Sequence, residues 1–128
     1  MSRSSRLPAL FIANATVLMV HQIDAAYWHE WELFRIPGGN QVNLLLNLPI
    51  LALVLIAHRE TVRASRYARA AHGLLIGLGF LTVALHSAFF AAGSTQFLQP
   101  MSMALLAATG LLSVAQWVCL RDLPPSQS

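Results

Sequence analysis

The chain has 128 residues, 56% of them hydrophobic and only 10% charged, with a mean hydropathy of +0.59. About a quarter of an ordinary soluble domain is charged, so this composition excludes one and makes the bilayer the solvent for a single unit, too short to build a second core. The net charge of +3 comes from eight basic residues, all arginines set beside apolar stretches without interleaved aromatic residues, which excludes nucleic acid as a partner and reads as a topology signal. The single Cys119 likewise excludes an intrachain disulfide or a multi-cysteine metal site.

In chain order, Arg3 and Arg6 precede the first apolar run. Ala13-Asn14-Ala15 imitates a signal cleavage site, but the apolar stretch continues through Val20, so this segment reads as an uncleaved anchor. Pro8 suits a first helical turn, where its missing N–H costs nothing, and a helix is expected over residues 8–34. That exceeds the ~20 residues that span hydrocarbon, so its end should project beyond it. The projecting part carries His-Gln-Ile-Asp-Ala-Ala-Tyr-Trp-His-Glu-Trp-Glu, residues 21–32, with three of the chain's five carboxylates.

Pro37-Gly38-Gly39-Asn40 ends this helix and predicts a tight reversal. A second helix is expected over 41–57, with Asn43 and Asn47 in its first turns and Pro49 leaving the Leu45 carbonyl short of a partner. Arg59, Arg63, Arg66 and Arg69 then form a loop that no hydrocarbon core would hold. A third helix is expected over 70–92 and a fourth over 100–120, starting at Pro100 and capped by Gln99 or a neighbour; residues 121–128, with Pro124 and Pro125, read as a flexible tail.

The expected fold is therefore all-α: an integral membrane four-helix bundle forming one transmembrane domain over residues 1–128. Four spans put Arg3, Arg6, Arg59, Arg63, Arg66, Arg69 and Arg121 on one side and only Arg35 on the other. By the positive-inside rule both the N- and the C-terminus are cytoplasmic, in a multi-pass protein of the bacterial inner membrane with residues 21–32 at the outer face.

Helical spacing then sorts the polar groups. Asn14, His21, Trp28 and Glu32 follow one another at seven, seven and four residues and share a face, with Asp24 close to it and His29 and Glu30 on the flanks. In the third helix His72, Gly79, His86 and Gly93 recur every seven residues, while Gly73, Gly77, Ala84, Ala88 and Ala92 make a small-residue stripe suited to close helix packing. Counted from the inner ends of their helices, His21 and His86 fall at similar depth in the outer half, and Asn43 and Asn47 reach the same level. Plainer roles compete for several of these residues. Tyr27, Trp28 and Trp31 can anchor a helix at the headgroups, Glu30 and Glu32 can be solvated with Arg35 pairing Glu32, and His58 and His72 can be interfacial.

A histidine and a carboxylate one turn apart, facing a second histidine, are costly in a membrane. Four readings follow. In the first, His21, Asp24 and His86 bind a divalent metal (Zn, Fe or Mn), with His29 or Glu32 completing the set. An open position there would activate water, with Asp24, Glu30 or Glu32 as base. In the second, the same groups form a metal-free acid–base or proton-linked site for a small lipid-soluble ligand, lined by Asn14, Trp28, Asn43 and Asn47. The third places haem between His21 and His86, a reading that Asp24 and the glutamates disfavour by crowding the pair. The fourth is a non-catalytic accessory or scaffold subunit, whose helix stripe meets a partner membrane subunit or a second copy. His-Glu-Trp-Glu lacks the second histidine of a zincin motif.

Residues 21–34, followed by Pro37-Gly38-Gly39 and Asn47-Leu48-Pro49, resemble small uncharacterised bacterial inner-membrane proteins with four predicted helices. More distantly, the run resembles the family named for a His-x-x-Glu-Glu motif. His21 matches that histidine, but Asp24-Ala25 stands in place of the two glutamates. The resemblance implies the topology and supplies no reaction.

Overall fold

The computed structural model describes residues 3–122, and these form five helices and no strand. They are α1 (Arg3–Tyr27), α2 (Glu30–Leu33), α3 (Gly39–Val62), α4 (Ala68–Ala91) and α5 (Pro100–Arg121). Of the flexible tail expected over 121–128, Arg121 instead closes α5 and Asp122 caps it, while residues 123–128 lie outside the described residues, as do Met1 and Ser2. Four of the five helices are long and apolar enough to cross a membrane.

The expected continuous helix over 8–34 is instead two helices. α1 begins earlier and ends at Tyr27, and His29 takes a left-handed conformation, φ 55°, ψ 46°. The chain then makes the single turn α2 before Arg35, again left-handed, leads into the reversal. A non-glycine residue in this region is uncommon, and histidine is one of the few types that tolerates it. Gly38 and Gly39 follow with φ of 102° and 58°, and a side chain at Gly38 would run into Val42. The reversal therefore needs glycine on both steric and conformational grounds.

α3 continues through Pro49 and extends one turn past the expected end into the basic segment. That turn is stabilised locally: Arg59 binds Glu60 at 2.8 Å, and Ser65 donates to the other Glu60 carboxylate oxygen at 2.6 Å. Pro100 starts α5 as expected for the first turn, whereas Gln99 occupies the cap position without a side-chain cap bond.

α5 packs most extensively, against both α1 and α4, while α3 leans on α4 and touches α1 more lightly. Phe11, Ala15, Leu18, Val54, Ala57, Ala71 and Leu75 form one core across α1, α3 and α4; Leu7, Ile76 and Leu120 form a smaller one with α5. Close approach of α4 to α5 depends on Gly79, where an added Cβ would collide with Ser113. The expected packing stripe is not used in this way. Gly73 and Gly77 are exposed, with nothing within 4 Å of where a Cβ would stand.

The outer surface is strongly apolar. Leu45 and Leu48 on α3 are each 65% exposed, and only 11% of that helix's apolar stretch is buried inside the molecule, against 28–33% for the other three. Contiguous exposed apolar area on this scale does not suit a monomer in water. It suits a lipid surround.

Candidate metal centre

Two layers of polar side chains are buried along the bundle. The first is where α1 and α4 meet the ends of α2 and α5. His21 and His86 are each 1% exposed, and their rings meet edge to face with centroids 4.7 Å apart. Phe97, buried just before α5, touches both rings, at 6.1 Å from His21 and 4.4 Å from His86, and closes one side of the pair. The His86 Nδ1 lies 2.9 Å from the Thr82 carbonyl, one turn back on α4. A carbonyl only accepts, so Nδ1 carries the proton and a neutral His86 presents the lone pair of Nε2.

Glu30 faces that lone pair. Its Oε1 lies 3.8 Å from His86 Nε2, and its side chain is only 16% exposed. One ring nitrogen from each histidine and a carboxylate oxygen of Glu30 lie within 4.8 Å of one another. Glu30 arrives there because of the break in the helix. In a continuous helix it would stand nine residues beyond His21, about 180° round the axis and facing away. The left-handed His29 turns the chain back, and α2 lays Glu30 over the end of α1. Phe34, also from this segment, packs edge to face on Phe89 of α4 at 5.1 Å, which holds α2 against the bundle.

The electrostatics are unusual for a surface glutamate. Burial, with a smaller contribution from the charge of Asp24, pushes the Glu30 carboxyl up to about 7. Asp24 therefore lies within electrostatic reach of the cluster. Its Oδ2 is buried and has no hydrogen-bond partner, and the same is true of His21 Nδ1 and His86 Nε2. An orphaned buried polar atom costs about 1–3 kcal/mol, so three in one place call for a ligand. Two imidazoles and a carboxylate, one imidazole oriented by a carbonyl behind it, form a donor set that suits a divalent metal.

A cavity of about 200 Å³ opens beside the cluster, lined by His21 and Glu30, by Asn43 and Asn47 of α3, and by Trp31 and Phe34 above. Asn47 donates to the Asn43 carbonyl at 2.9 Å and to the Asn43 side chain at 3.1 Å, so the two amides reach the cavity as a pair.

The sequence-predicted residues divide accordingly. His21 and His86 are brought together, with Asp24 close by and Asn43 and Asn47 on the cavity wall. His29 and Glu32 lie elsewhere: both are exposed, they pair with each other at 3.6 Å, and His29 stacks on Trp31. Trp28, past the end of α1, packs edge to face on Tyr27. Glu30 takes the place in the cluster that spacing alone had assigned to Asp24, His29 or Glu32. A tolerant αL residue directly before it is the only sequence signal for the turn, and a weak one. Phe97, an apolar residue in a linker, carried no signal at all.

Asn14 belongs to the second layer. Its Nδ2 donates to Gln116 Oε1 at 2.9 Å and to Ser113 Oγ at 3.2 Å, and Gln116 Nε2 lies 2.9 Å from His72 Nδ1. All four residues are buried, so this network ties α1, α4 and α5 together. Phe11 stands against His72 and His58 with centroids 5.4 and 5.8 Å away.

No curated protein and no solved structure matches the chain. One family model does match, over residues 7–123, a span that runs from the second turn of α1 through α5 and takes in both buried polar layers. The chain belongs to the family of unknown function DUF6713.

Proposed function

We propose that this is a multi-pass membrane protein that binds a divalent metal ion through His21, His86 and Glu30 and presents it to a lipid-soluble substrate. The observation that carries this reading is the convergence of three donor atoms within 4.8 Å in a buried position, two of the residues holding orphaned nitrogens. Two histidines and a glutamate are a donor set used for catalytic zinc, and two histidines with a carboxylate hold non-haem iron, both leaving open positions. Zinc, iron and manganese are the candidates. The bound ion would act as a Lewis acid and lower the pKa of a water beside it.

This chain's own residues would do the rest. Thr82 holds His86 in the metal-binding tautomer. Asp24, half-buried with its Oδ2 enclosed and unpartnered near Glu30, would take up a proton from the activated water. Phe97, Trp31 and Phe34 keep the site dry enough for charge–charge interactions to remain strong. The direct edge-to-face contact of His21 and His86 leaves no space for a porphyrin between them, which argues against axial haem ligation.

The arginine asymmetry supports a bacterial inner-membrane topology with both termini cytoplasmic and the His–Glu cluster in the outer half. Elemental analysis of the detergent-purified protein tests the central claim. About one divalent ion per chain is expected, lost in His21→Ala and in His86→Ala. A metal-free preparation whose stability does not respond to added zinc, iron or manganese would show the metal reading to be wrong.

A further inference from the structure

The loose contact between α1 and α3 leaves a second, larger space on the membrane-facing side. It holds about 460 Å³ between Ala15 and Ala26 on α1 and Asn43 and Val54 on α3. A further 250 Å³ continues it past Phe11 to His58, sharing Ala15, Met19 and Val54. From Ala26 to Phe11 the groove follows α1 for fifteen residues, roughly 22 Å at ~1.5 Å per residue. That is longer than one leaflet of a ~30 Å hydrocarbon core, and its volume lies at the small-ligand end of the roughly 300–1,000 Å³ range of binding pockets.

The groove's extension past Phe11 carries Thr16 and His58, whereas the 460 Å³ space itself is apolar along its length and polar at one end. Gln22, Asn43 and Asn47 line that end, and the same three residues, with Leu18 and Ile50, also line the cavity of His21 and Glu30. The two spaces therefore meet across the amides. An amide facing hydrocarbon needs a hydrogen-bond partner. The Asn43–Asn47 pair uses one amide nitrogen and one side-chain oxygen on itself, and among the described residues the Gln22 side chain makes no hydrogen bond.

We infer that the groove binds a single-chain lipid with a carbonyl at its polar end, the acyl tail lying between α1 and α3 and the carbonyl held by Asn43, Asn47 and Gln22 beside the metal centre. This names the substrate class for the proposed metal site and rests on that reading for its chemistry, though the lipid binds by tail and amides alone. Polarity matches at the amide end, and continuity with the His21–Glu30 cavity gives the head a destination. A partner's apolar helix would leave the three amides facing its side.

Native mass spectrometry of the detergent-purified full chain with oleate tests this, with metal content measured on the same samples. One oleate per chain is expected, saturably. Leu48→Trp, at a position 65% exposed where folding tolerates change, fills the groove and should weaken oleate binding at least tenfold with metal content unchanged. Asn43→Leu should weaken it about fivefold and leave metal unchanged. His86→Ala should lose the metal and keep the oleate, so that failure of either proposal is visible without the other. Non-saturable uptake, equal binding by Leu48→Trp, or a groove occupied by a second copy or another subunit that excludes oleate would overturn the lipid site.

Discussion

The two buried polar layers differ in how far they are satisfied by the protein itself. In the Asn14–Gln116 layer, Ser113, Asn14, Gln116 and His72 form a linked set of hydrogen bonds across three helices, leaving only Asn14 Oδ1 over. In the His21–His86 layer, His21, His86, Glu30 and Asp24 are packed together yet leave two ring nitrogens and a carboxylate oxygen without hydrogen-bond partners. A satisfied network between apolar helices holds them in register. A cluster of ligating atoms turned toward one another without hydrogen bonds to satisfy them is arranged for something else. Burial and residue type alone would rank the two layers equally; hydrogen-bond accounting separates structure from candidate chemistry.

The sharpest way to break this comparison is to remove one member from each layer. His86→Ala is expected to lower metal affinity by at least about 100-fold, more than the 10–100-fold typical of losing a supporting partner, as read by metal titration of the purified protein. Gln116→Leu should do the reverse. It takes the Gln116 partner from both His72 and Asn14, leaving Asn14 only its longer bond to Ser113, and should lower stability by about 1–3 kcal/mol in a denaturing-detergent titration, with metal content intact. Loss of metal in Gln116→Leu would mean that the layers act as one unit.

The pH dependence sharpens the contrast further. Glu30, with its folded value raised from 4.5 to about 7, binds a proton more tightly folded than unfolded. Without metal, the stability it contributes is present below pH 4.5 and declines as pH rises toward 7. Metal binding requires the carboxylate, so metal affinity should rise over the same window and level off above it. Glu30→Gln should flatten the stability slope. A metal-free wild type that grows more stable between pH 4.5 and 7 would contradict this account of Glu30.

The smallest effect concerns the hinge. His29 is exposed and left-handed, and its pairing with Glu32 lies in water. His29→Gly should leave metal content unchanged and stabilise the fold by about 0.5–1 kcal/mol, since glycine adopts this conformation without a Cβ penalty. A loss of metal in this variant would place His29 among the ligands after all.

Much of this was readable from spacing. The sevenfold recurrences of Asn14 and His21, and of His72 and His86, put all four residues on inward faces, and similar depth paired His21 with His86, whose rings do meet. Asn14 was placed on the correct face but joined to the wrong layer, because depth along α1 says nothing about which side chains of α5 wait opposite. Gln116 and Ser113 find their partners only through the packing of α5 against α1 and α4. The stripe of Gly73 and Gly77 followed a packing pattern yet faces outward, while the glycine that matters for close approach is Gly79.

By itself the sequence determined the four long apolar helices, the reversal at Pro37-Gly38-Gly39 and the inward faces of α1 and α4. Composition, helical period and backbone permissiveness are local properties, and each is written in a few neighbouring residues. Which carboxylate completes the histidine pair was decided only in three dimensions. One left-handed residue at His29 reverses the direction in which Glu30 points, and α2 is held in that position by Phe34 packing on Phe89, more than fifty residues away in the chain.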